Sequence, residues 1–221
     1  MIQKMRNDIP ENHPIRALFH RLTERGLEQS NLHDSGTTQY ITDLLTDFVQ
    51  AENLGWMPDG KAVYFAGSDD KGWRMYLHDV AGGAARPVTP FISIKRSHVE
   101  TDLVSPDGRL MFARDVNGKG MLYPLAGGDP QLAPGWLPDD LWVNWTADGH
   151  SAYVYNDDKT NAPVFKLDLT TGKREPVMTL AVTDPAGVTA ISNVRMTRDG
   201  KAYGYTFARE MSDLFLVEGV H

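Results

Sequence analysis

The chain has 221 residues, 41% of them hydrophobic and 23% charged, with a formal net charge of −7. Acidic residues outnumber basic ones over both 1–54 and 55–221, so neither part offers the basic footprint of a nucleic-acid binder. The absence of cysteine excludes disulfides, thiol catalysis and Cys-ligated zinc, and no apolar run approaches the roughly 18 residues of a membrane-spanning helix.

Residues Met1 to Asp8 lack the apolar core of a signal peptide, so the chain as written is expected in the cytoplasm. As a piece of a larger protein it would instead be expected outside it. Residues 1–54 read as a helical hairpin that caps the β-rich remainder of the chain. Asn12 is placed as an N-cap and Pro14 in the first turn, where its missing N–H costs nothing. Ile15, Leu18, Phe19 and Leu22 then form one apolar stripe, and Gly26 ends the helix. Ser35 or Thr37 can cap a second helix whose stripe is Ile41, Leu44, Leu45 and Phe48. The helical stripe ends so near the first β turn that little chain remains before Trp56 for an inner strand.

From Gly55 the period changes from 3.6 to 2, and four units follow over approximately 55–90, 91–136, 137–180 and 181–221. Each carries an Asp-Gly turn ahead of an alternating apolar run: Asp59-Gly60, Asp107-Gly108, Asp148-Gly149 and Asp199-Gly200. The turn needs a positive φ, which glycine adopts without a Cβ penalty. Lys61 to Ala66 reads as a strand, Ser68 to Gly72 as a polar turn, and Trp73 to Val80 as the next strand, closed by Gly82-Gly83. Arg109 to Ala113, Asn117-Gly118, Met121 to Leu125 and Gly127-Gly128 repeat the layout. The third unit runs from Leu141 through Tyr155, Val164 to Leu169 and Thr171-Gly172 to Val177. The fourth has Ala202 to Phe207 and Asp213 to Glu218, with no outermost strand after it. A period of 40 to 50 residues suits four-stranded propeller blades, so the expected fold is mainly β: about four antiparallel blades behind the helical hairpin.

Pro-Asp-Gly-Lys/Arg, then an aromatic-containing strand, a polar turn, an aliphatic strand and Gly-Gly or Thr-Gly resembles the repeat of TolB-like, WD40-like bacterial propellers. The likeness covers roughly 55–221. Thr197 through Gly219 is similar to the final blade of some bacterial multidomain proteins, including receptor-like kinases. The third turn, Thr146-Ala147-Asp148-Gly149, departs from the pattern by lacking the proline, and such propellers usually have more than four blades. The resemblance implies the propeller fold and little about function, because propellers host many activities; with no kinase motif present, kinase activity does not carry over to this chain.

Catalytic motifs are absent from the sequence: there is no Gly-x-Ser-x-Gly elbow, no His-Glu-x-x-His and no complete dinucleotide fingerprint. The seven histidines are scattered and read as solvated surface. The acidic turns Ser68-Asp69-Asp70, Asp115 to Gly118 and Asn156-Asp157-Asp158 contain oxygen ligands for calcium. They fit no EF-hand spacing, and turn conformation explains their composition. Asp43 and Asp47 read as a solvated acidic face. No metal or cofactor is expected. Of the five tryptophans, Trp136 stands out: it lies in a proline-flanked inter-blade loop, where an exposed aromatic can anchor a partner.

The leading expectation is a non-enzymatic propeller-type binding or scaffolding module for a protein or peptide, without nucleic acid or membrane, and able to self-associate through open blade edges. One alternative is a hydrolase or lyase whose acidic or histidine residues converge at the propeller funnel. Another is a fragment or fusion of a larger propeller protein with no activity of its own.

Overall fold

The computed structural model describes residues 50–94, 100, 102–156 and 161–211. Most of the expected helical hairpin, the Asp157-Asp158 turn and the expected strand Asp213 to Glu218 lie outside these residues. The chain divides into two compact units after Gln50, and all the sheets belong essentially to the second. Among the described residues there is no helix, and hence none long and apolar enough to cross a membrane.

The described residues form fourteen strands: β1 (Gln50–Trp56), β2 (Ala62–Ser68), β3 (Trp73–Asp79), β4 (Arg86–Pro87), β5 (Ile92–Ser93), β6 (Leu110–Asp115) and β7 (Gly120–Pro124), then β8 (Gln131–Leu132), β9 (Asp140–Trp145), β10 (Ser151–Asn156), β11 (Asn161–Asp168), β12 (Arg174–Ala181), β13 (Val188–Met196) and β14 (Tyr203–Arg209). Among the described residues the pairings from β2 to β14 are antiparallel. β9 to β12 form one four-stranded blade in simple meander order, and β13 and β14 form a two-stranded sheet. The first two blades are joined in one eight-stranded sheet ordered β1-β2-β3-β5-β6-β7-β8, with β4 also pairing β3.

The chain finds room for an inner strand where the sequence suggested little. β1 takes up Gln50 to Leu54, and Asn53 sits at φ 54°, a left-handed kink that asparagine tolerates better than most residues. Two further strands lack a legible signal. β5 is only two residues long, and β13 interleaves Thr189, Ser192, Asn193 and Arg195 with its apolar residues.

Period-2 strands normally bury one face, yet all of β9 and most of β2, β6 and β10 are buried on both. Stacked blades explain this, since each sheet is covered by its neighbours on either side. One core includes Tyr64, Met75, Leu103, Phe112, Trp142 and Trp145 from the first three blades. Trp142 stacks on Phe112 with centroids 4.1 Å apart and meets Trp145 edge-on at 5.3 Å. The second core joins Leu141, Val143, Tyr153 and Tyr155 to Ile191, Val194 and Met196. Burying each such side chain is worth about 1.5–3 kcal/mol.

In the four Asp-Gly turns, φ lies between 69° and 72° at Gly60, Gly108, Gly149 and Gly200. None of the four aspartates has a positive φ. Each glycine N–H donates three residues back, to Met57, Ser105, Thr146 or Thr197, closing a four-residue turn that ends in the left-handed glycine. The aspartate Oδ1 accepts the N–H two residues on, at Lys61, Arg109, His150 or Lys201. In the last three turns a hydroxyl adds a second lock. Ser105, Thr146 and Thr197 each donate to the aspartate two residues later at 2.6 Å. The same hydroxyls accept the N–H groups of Leu110, Ser151 and Ala202.

The turns also touch one another in sequence. A Cβ on Gly108 would meet Pro58 of the first blade, and one on Gly149 would meet Pro106 of the second. At the third step the proline is Ala147, whose N–H donates to the Arg198 carbonyl at 3.1 Å. The missing proline therefore has a structural consequence: it leaves a donor that bonds the third blade to the fourth.

Candidate functional site

Trp136 lies in the connection between β8 and β9, which runs from Ala133 to Asp139. Within it, the Trp136 N–H donates to the Ala133 carbonyl and Asp140 N–H to the Leu137 carbonyl. Gly135 has φ 73° and lies back to back with Gly172 of the β11–β12 turn, so a side chain at either position would run into the other's backbone.

Trp136 is not the freely exposed aromatic that its flanking prolines suggest. It is half-buried, with its ring 4.8 Å from Phe112 and 5.3 Å beneath the Arg114 guanidinium. The Gly120 backbone lies against the same ring, because no Cβ intervenes. The hydrophobic core recruits the indole, and its buried Nε1 has no hydrogen-bond partner among the described residues. Two exposed apolar groups follow residues of this set in the chain: Leu137 comes directly after Trp136, and Val116 comes two residues after Arg114. Leu137 is 50% exposed, and Val116, in the turn between the Arg114 and Gly120 strands, is 63% exposed.

Beneath this loop lies a set of charges that the sequence did not mark. Arg114 pairs with Glu100 at 2.7 Å, both side chains being less than a tenth exposed, and donates from Nη2 to the Asp140 carbonyl. Arg174 makes a two-pronged bond to Asp140, at 2.6 and 2.8 Å, and donates also to the Gly135 carbonyl. Asp140 Oδ2 accepts the Leu137 N–H at 2.8 Å. Burying these ions costs solvation that their mutual pairing offsets, and the pairing holds the loop in one geometry.

The structural turns carry less chemistry. Asp107, Asp148 and Asp199 have carboxyls held below the ordinary range, chiefly by the hydroxyl donors Ser105, Thr146 and Thr197. Asp69 is lowered first by the Lys71 N–H and Asp168 first by that of Thr171. In Asp69 and Asp168, as in Asp115, Oδ1 accepts two turn N–H groups. Among the described residues, no three His, Asp or Glu side chains are placed to hold a metal. One histidine departs from the solvated reading: His78 is buried on β3, and desolvation lowers its pKa.

Of the sequence-selected residues, Trp136 stands at this loop, while Asp59, Asp107, Asp148 and Asp199 with their glycines form the separate row of turns. The residues missed are Glu100, Arg114, Asp140 and Arg174. Only an acidic pair, Asp139-Asp140, entering a mostly apolar inner strand hinted at them.

No protein-family model matches the sequence, and no curated protein matches it. Solved propellers do match in structure. TolB from Acinetobacter baumannii is 20% identical with TM-score 0.51, over 74% of this chain and 39% of that one. An oligogalacturonate lyase from Vibrio parahaemolyticus is 16% identical at 0.51, over 75% and 48%. Hydrazine synthase from Kuenenia stuttgartiensis is 18% identical at 0.50, over 77% and 47%. The fold is that of a TolB-like propeller segment, and the chain spans less than half the length of each of these three. At such identities the likeness is one of fold, shared by a TolB and by enzymes alike.

Proposed function

We propose that this chain is a non-enzymatic, propeller-type binding module that docks a protein or peptide partner through the loop bearing Trp136 and Leu137. The observation that carries the reading is the buried clasp of Arg114, Asp140 and Arg174 under a loop whose Leu137 side chain stays exposed. A loop ordered in advance loses little entropy on binding, and an anchored aromatic with apolar neighbours is the usual centre of an interface. A photo-crosslinking residue placed at Val116 or Leu137 is expected to capture a discrete partner from cell extract, while one at Lys61, in the first Asp-Gly turn, captures none. Equal capture at all three positions, or none at any, overturns the assignment.

The reading of a hydrolase or lyase at the funnel needs carboxylates or histidines free to act. Glu100 and Asp140 converge instead on Arg114 and Arg174 and are committed to them. Turnover of an oligogalacturonate, the substrate class in the name of one structural neighbour, would favour the enzyme. Self-association is a separate question. β14 exposes Tyr203 and Phe207, whereas its counterparts β2, β6 and β10 are mostly buried. Light scattering that reports the mass of one chain excludes association through that strand.

A further inference from the structure

The loop at Trp136 is gripped by a residue far from it in sequence. Arg174 stands at the start of β12, 34 positions beyond Asp140. Its fork reaches both Asp140 oxygens and the Gly135 carbonyl, and Asp140 passes the restraint to the Leu137 N–H. We infer that Arg174 is the positioning residue of the binding loop, clamping residues 135–137 so that Leu137 is held out beside the fixed Trp136 ring. Its use in recognition rests on the partner-binding reading; the clamp itself does not.

Guanidinium geometry is central to this. A planar fork satisfies both carboxylate oxygens and a carbonyl at once, whereas a lysine ammonium is a single point charge on a flexible stem. Arg174 is also packed 4.6 Å over the Phe165 ring of the neighbouring strand, so the fork is aimed by the blade on which it stands. The loop thus belongs in sequence to the connection between blades but takes its geometry from the outer strand of the third. A residue that merely glued the blades together would loosen both sheets when altered. A positioning residue loosens the loop and leaves the sheets alone.

Hydrogen exchange on the full chain separates these roles. In Arg174→Lys, exchange at the Leu137 and Asp140 amides is expected to rise by about tenfold or more, the equivalent of one lost charge-assisted hydrogen bond. Protection of the β6 and β10 amides should stay within about twofold of wild type, since lysine keeps the charge beside Asp140 and the loop opens separately from the sheets. Asp140→Asn, which removes the charge that the fork grips, should loosen the same two amides beyond β6 and β10, on top of the general loss of stability that an unpaired buried arginine brings. Unchanged loop exchange in both variants, or a rise shared equally by β6 and β10, overturns the clamp. Crosslinking from Leu137 keeps the two readings distinct. If wild type captures no partner while the loop still loosens in Arg174→Lys, the binding reading fails and the clamp stands. If wild type captures a partner and Arg174→Lys changes neither capture nor exchange, the clamp fails alone.

Discussion

Ala147 donates its backbone N–H to the Arg198 carbonyl at 3.1 Å, joining the Asp-Gly turns of the third and fourth blades. Proline, which fills the equivalent place in the first two turns, has no N–H to give. Ala147→Pro suits the turn locally and gains about 0.4–1 kcal/mol from a stiffer unfolded chain. It loses a bond worth about 0.5–1.5 kcal/mol and sets a ring against the carbonyl. The expected result is a net loss, seen as lower melting temperature and faster exchange in β13 and β14 than in β6. A stabilised variant would show that the bond carries nothing.

The four turn glycines share φ near 70° but differ in the room around them. Alanine at each carries the same backbone cost, about 1–2 kcal/mol. A Cβ at Gly60 meets nothing within 4 Å; at Gly108 it meets Met57 at 3.6 Å, at Gly149 Pro106 at 3.3 Å, and at Gly200 the Tyr153 hydroxyl at 2.5 Å. Destabilisation should therefore rise in that order. Equal losses at all four, or none for Gly108→Ala, would contradict the assigned turns.

Acid should weaken the row of hydroxyl-locked turns. Asp107, Asp148 and Asp199 have folded pKa values below the ordinary range, so folding favours their ionised forms. That stabilisation is complete above the unfolded value of about 3.9 and is lost as pH falls through the lower folded values. Chemical denaturation between about pH 5 and pH 2 should show this decline, on top of that from other carboxylates. Replacing Ser105 with alanine and Thr146 and Thr197 with valine should make the decline shallower. An unchanged slope would mean that the hydroxyls do not set these carboxyls.

Glu100→Gln leaves Arg114 buried without its counter-charge. Removing one member of a buried pair costs about 3–5 kcal/mol, so the variant should melt many degrees lower. Pairing the change with Arg114→Met should recover much of the loss. Failure of the double variant to recover would show that Arg114 matters for its bond to Asp140 more than for Glu100.

Dialysis against a chelator is expected to leave circular dichroism and melting unchanged, because the turn carboxylates are already engaged by backbone donors. A clear fall in melting temperature would revive a calcium site, since a metal bound only by the folded state stabilises it.

The architecture was legible in the sequence because turns and alternation are local signals. Asp107-Gly108 and Met111 to Leu125 announce a hairpin from within 20 residues of chain. The hydroxyl lock was equally local, in Ser105, Thr146 and Thr197 standing two residues before each aspartate, but the proline of the first two turns drew the eye from it. The clasp was not legible. Successive members of the set Glu100, Arg114, Asp140 and Arg174 are 14 to 34 positions apart, and they meet only once the third blade has folded and packed against the second. Trp136 misled for the same reason: its flanking prolines describe a loop, while Phe112 and Gly120, which receive its ring, come from the preceding blade.

Ile92 faces Trp73 on one side and Asp115 on the other, so the two-residue β5 makes one continuous ladder of the first two blades. The repeat that the eye counts and the unit that the backbone builds are therefore different things. A graft or truncation made near residue 90, at the apparent seam, would leave raw ladder edges on both pieces. The third blade's ladder is complete within β9 to β12, so the covalent seam that matches the hydrogen bonding falls between Leu132 and Asp140. Anyone recombining such propellers should move the first two blades as a pair.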